Sequence, residues 1–69
     1  MFSEELQKIG LNIMRERRKR GWTQEELSRR SGLSRGRISL IECGKASFEI
    51  ESLMLIAKAL GVDYITLLK

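Results

Sequence analysis

The chain has 69 residues, one cysteine and no histidine, so it has room for one small core, no internal disulfide framework and no Cys/His zinc site. Its net charge of +4 is unevenly placed: residues 1–37 carry ten Lys/Arg against five acids, and residues 38–69 carry three against four. A basic half suits a face that meets a polyanion, while the lack of a histidine base, a Cys/His or Ser/His pair or a Gly-rich phosphate loop argues against an enzyme, a metal or a cofactor.

The first element is expected over residues 4–20, where Leu6, Ile9 and Ile13 recur at helical spacing and only Gly10 interrupts. Glu4 and Glu5 at its start and Arg18, Lys19 and Arg20 at its end complement the helix dipole, and Gly21 stops it. Leu11 and Met14 lie on another flank, where the C-terminal segment is expected to cover them in part. Arg17, one turn after Ile13, carries a guanidinium on the inward stripe and needs a partner there. Trp22 reads as a core plug between the first two helices.

Thr23 followed three residues on by Glu26 is a capping box and starts a short helix with Leu27 facing inward. Gly32 supplies a left-handed stop, so this helix should end near Ser31. Ser34 is a second N-cap, and Ile38 and Ile41 give the next helix its inward stripe. Two short helices joined by a tight Gly-containing turn form a helix-turn-helix over about residues 23–42.

Residues 43–50 read as a loop, with Gly44 as a cap and with Phe48 and Ile50 folding back onto the core. A fourth helix is expected from about Glu51 to Leu60, with Leu53, Ile56, Ala57 and Leu60 inward and Gly61 as its stop. Asp63 caps a short fifth helix, with Val62 and Leu67 as a hydrophobic staple. Tyr64, Ile65 and Leu68, with Leu55 on the outward flank of the fourth helix, form an apolar patch that a two-fold axis can bury. No apolar stretch approaches the roughly 18 residues that span a bilayer, and the N-terminus has no basic region followed by an apolar run. A cytoplasmic single-domain protein with Cys43 reduced is expected.

The run Gln24-x-x-Leu27-Ser28-x-x-x-Gly32-Leu33-Ser34-x-x-x-Ile38-Ser39-x-Ile41-Glu42 resembles the Cro/C1-type helix-turn-helix family of phage repressors, restriction-modification controllers and small bacterial regulators. Arg17-x-x-x-Gly21-Trp22-Thr23-Gln24, Gly44-Lys45 and Leu53-x-x-Ile56-Ala57-x-Ala59-Leu60-Gly61-Val62 extend the resemblance over roughly residues 9–68. The resemblance implies an all-α, five-helix fold of the lambda-repressor type. It also implies a buried ion pair between Arg17 and Glu42, and a phosphate contact at Gln24.

In helix-turn-helix proteins the second helix enters the major groove with its N-terminal residues at base edges. On that reading Arg35 is the candidate for bidentate readout of guanine, Ser34, Ser39 and Leu40 are further base contacts, and Arg37, Lys45 and Ser47 meet phosphates. Gly36 stands where related repressors often read a base, so one base pair is skipped or the backbone comes close. The expected function is regulation of transcription by a homodimer on a near-palindromic duplex operator, with no small-molecule ligand and no membrane. A chain that stops after the fifth helix leans toward the controller type. The alternative is a protein-interaction module, such as an antitoxin-like partner, using the same fold.

Overall fold

Local capping chemistry sets the helix ends in the computed structural model, which describes residues 3–45 and 49–69. Five helices follow in order: α1 (Ser3–Lys19), α2 (Gln24–Ser31), α3 (Arg35–Glu42), α4 (Ile50–Leu60) and α5 (Tyr64–Leu68). Thr23 Oγ1 accepts from the Glu26 amide and Ser34 Oγ from the Arg37 amide, both at 3.1 Å, so each helix of the helix-turn-helix has a side-chain cap. Asp63 does the same for α5 through the Ile65 amide, also at 3.1 Å. Gly32 closes α2 at φ 82°, a left-handed conformation in which a Cβ is unfavourable. The other half of the expected capping box is missing: the Glu26 carboxylate binds Arg29 and Arg30 instead of reaching back to Thr23.

The core is contributed by every helix. Ile13, Leu27, Ile38, Ile41, Leu53, Ile56, Ala57, Leu60 and Leu67 are buried, and Ile9, Trp22, Val62 and Tyr64 pack against them half-buried. Val62 and Leu67 thus both face the core, as a staple requires. The α5 helix is only five residues long and is clipped to α1 by Asn12, whose Nδ2 donates to the Leu67 carbonyl at 3.0 Å. The expected flank of α1 divides: Met14 is half-buried, but Leu11 remains exposed.

Ile50 does not fold back. It opens α4 with 60% of its surface exposed, because the helix begins one residue earlier than its pattern suggested and points this first side chain outward. Phe48 lies outside the described residues.

Gly10 is more than an interruption of the α1 pattern. A Cβ there would sit 2.3 Å from the Ile41 carbonyl oxygen and 2.6 Å from that of Glu42, so α1 crosses the end of α3 in direct backbone contact. Gly10→Ala should therefore destabilise the chain by an overpacking cost at or above the upper end of about 1–3 kcal/mol, overriding the gain in helix propensity of roughly 0.5–1 kcal/mol. Urea unfolding measures the sign directly. A variant with a higher midpoint than the parent would mean that this crossing relaxes freely.

Candidate nucleic-acid interface

The turn between α2 and α3 is fastened by two serines. The Ser31 hydroxyl oxygen accepts from the Leu33 amide at 3.2 Å, while the Ser28 hydroxyl donates to the Leu33 carbonyl. These bonds fix the angle at which α3 leaves α2.

The far end of α3 is fixed by charge. Arg17 Nε and Nη2 reach Glu42 Oε2 and Oε1 at 2.7 and 2.9 Å, a two-pronged pair in which both residues are 7% exposed. The remaining prong, Nη1, donates to the Trp22 carbonyl at 2.8 Å. Hydrogen bonding to the Glu42 carboxylate holds the Arg17 guanidinium above its ordinary range, against the opposing effect of burial and with a further Coulombic contribution from the same carboxylate. The pair expected between Arg17 and Glu42 is thus formed, and it ties α1 to the last residue of α3.

Glu42 has a third partner. Gln24 Nε2 donates to Glu42 Oε1 at 3.0 Å, joining the first residue of α2 to the last residue of α3. This bond orients the Gln24 amide. The bond uses one of the two N–H donors of that amide, and the other remains for a phosphate oxygen. The unpaired backbone amides at the start of α2 remain as donors on that side.

Trp22 is the plug expected of it. Its ring packs half-buried against the core, with the Arg30 guanidinium 4.2 Å and the Arg20 guanidinium 5.9 Å from its centroid. The indole face is therefore occupied from within the chain.

Ion pairs sort the basic excess. Lys19 and Arg20 bind Glu16, and Arg29 and Arg30 bind Glu26, in addition to the Arg17 pair. Among the described residues Arg35, Arg37 and Lys45 make no ion pair, and neither do Lys8, Arg15, Arg18, Lys58 and Lys69. Arg35 lines a shallow depression with Arg17, Thr23, Gln24 and Glu25, beside the start of α2. Ser34, Arg35, Gly36 and Leu40 are exposed, whereas Arg37 and Ser39 are half-buried. Ser34 Oγ accepts from the Arg37 amide, which leaves its hydroxyl proton and a second lone pair for a ligand. Lys45 is exposed just past α3, and Ser47 lies outside the described residues.

The residues expected in the apolar patch are all at least partly exposed. Ile65 is 48% exposed and Leu68 is exposed, so neither is consumed by the core, and Tyr64 is half-buried. Leu55, however, lies on the α2 side of α4 beside Arg30 and Ser31, whereas exposed Met54 shares a depression with Tyr64 and Asp63. Sequence reasoning missed Met54. Its only trace was a position one turn after Ile50 on a helix whose outward face was otherwise assigned to Leu55.

No described helix is long and apolar enough to cross a membrane. The helix-turn-helix family model matches residues 13–67. An uncharacterized HTH-type transcriptional regulator of Sinorhizobium fredii, y4dJ, is 41% identical over 59 residues, covering 86% of this chain and 77% of that protein. The restriction-modification controller protein C.AhdI from Aeromonas hydrophila is similar in structure, with a TM-score of 0.90 at 28% identity over 93% of this chain and 97% of that one. The controller protein C.Esp1396I bound to a 25 base pair operator site is similar with a TM-score of 0.81 at 39% identity, over 90% of this chain and 82% of that one. The match runs from within α1 to α5, includes the capped α2–turn–α3 unit and agrees with the likeness to solved controllers: the chain belongs to the helix-turn-helix family.

Proposed function

We propose that the chain binds duplex operator DNA as a homodimer and regulates transcription in the cytoplasm, in the manner of a restriction-modification controller, with no catalytic step. The observation that carries this reading is the network Arg17–Glu42–Gln24, which locks α3 against α1 and α2 from behind and leaves Arg35, Gly36 and Leu40 on its open side. A rigidly backed helix with long forked donors at its entrance is what groove readout requires. The similar controller C.Esp1396I, bound to an operator site, supports the same role.

On this reading Arg35 pairs with guanine, Ser34 and Ser39 donate to base edges, and Leu40 meets an apolar base edge. Gln24, Arg37, Lys45 and the amides at the start of α2 hold phosphates. The test is selection of bound sequences from random duplex DNA, followed by titration of affinity against salt. A near-palindromic site and a steep log-linear loss of affinity with salt are expected. Absence of sequence enrichment, or association indifferent to salt, would favour a protein-interaction module instead.

Dimerisation through α5 gives a second measurable outcome. A two-fold axis through the Ile65/Leu68 surface sets the two recognition helices about one DNA turn apart, roughly 34 Å. Ile65→Asp should lower the mass seen in equilibrium sedimentation and weaken operator binding while leaving the fold and the basic edge intact. If a folded Ile65→Asp chain keeps its mass, the interface lies on another surface.

A further inference from the structure

Three glycines of this chain can be compared by what the fold asks of them. Gly10 is required by a backbone crossing and Gly32 by a left-handed turn. Gly36 is required by neither: it lies in the first turn of α3, it is not among the glycines with positive φ, and a Cβ built on it meets nothing within 4 Å. Glycine within a helix weakens it relative to alanine, so the free protein would gain from a methyl group here. The fold makes no demand for glycine here, so any demand comes from outside it.

Its position indicates where. The buried stripe of α3 is Ile38, Ile41 and Glu42, and Gly36 with Leu40, one turn further on, occupies the opposite side. Leu40 is 48% exposed and takes no part in the core. Arg35 and Arg37 flank this strip. We infer, resting on the DNA-binding reading above, that Gly36 is a specificity-determining residue: it lets α3 sink far enough into the major groove for Leu40 to contact a thymine methyl. Without a Cβ the backbone of the first turn approaches the base edges directly. The C5-methyl of thymine is the apolar group the major groove displays, and it matches an exposed leucine in the centre of the inserted face.

The test compares wild type and Gly36→Ala on the selected operator and on copies in which each thymine in turn is replaced by deoxyuridine, which removes only the C5-methyl. Gly36→Ala should melt about 2–8 °C above wild type. It should also bind the unmodified operator at least about tenfold more weakly, the effect of an overpacked contact. Wild type should lose about fourfold in affinity per half-site at one thymine position, the worth of one buried methyl, and Gly36→Ala should no longer sense that methyl. The inference is overturned if Gly36→Ala binds as tightly as wild type, if it is less stable than wild type, or if no deoxyuridine position affects wild type. Failure of wild type on the unmodified operator is a separate result, and it would instead remove the DNA-binding reading itself.

Discussion

Glu42→Ala is expected to leave most of the chain unfolded at physiological temperature. The substitution strands the Arg17 guanidinium 7% exposed with only the Trp22 carbonyl as partner, and it removes the acceptor of Gln24 as well. An uncompensated buried charge of this kind costs about 3–5 kcal/mol, comparable with the whole of what so small a domain has at the lower end of about 5–15 kcal/mol. The double variant Arg17→Met with Glu42→Leu separates charge from packing. Exchanging both charges for apolar groups of similar volume is close to neutral or better, so it should restore much of the melting temperature that the single variant loses. Thermal melts followed by circular dichroism measure both. A single variant that melts close to wild type would mean that solvent reaches the pair.

The largest effect on recognition is expected at Arg35. If its guanidinium reads guanine O6 and N7, Arg35→Ala loses about 1–3 kcal/mol per half-site, and the loss appears as relaxed preference at one base position. Arg37→Ala is the comparison, because a lost phosphate contact weakens all duplexes alike and lowers the salt slope by about one unit per site. Both variants are to be measured on the selected operator and on a scrambled duplex. Equal weakening of both duplexes by Arg35→Ala would make Arg35 a positioning residue and pass base readout to Ser34, Ser39 or Leu40.

What was legible beforehand follows from how far each cause lies along the chain. Thr23, Gly32, Ser34, Gly61 and Asp63 mark their helix ends through bonds or backbone conformations only a few residues long, so their types and spacing suffice. Arg17 was legible because a charge on an apolar stripe demands a partner, and the family resemblance supplied Glu42. Gly10 was not, since the carbonyls it leaves room for belong to Ile41 and Glu42, about thirty residues away in sequence and invisible to any local pattern. The same holds for the bond from the Gln24 amide to a carboxylate on another helix. Met54 and Leu55 are adjacent apolar residues, and which of them meets α5 is decided by how α4 crosses α2 and α5. Periodicity within α4 does not carry that information.

The stacking of Arg30 on Trp22 bears on how the chain can be studied. Trp22 is its sole tryptophan, so all indole fluorescence arises at the one place where the α1 terminus, the start of α2 and the Arg17 guanidinium meet. Opening that junction uncovers the ring to water and frees it from its cationic lid, changing the wavelength and yield of emission together. The same ring packs half-buried against the core, under the Arg30 guanidinium. The protein thus carries an intrinsic optical reporter of whether its recognition helix is braced, tuned to folding and largely indifferent to what α3 touches.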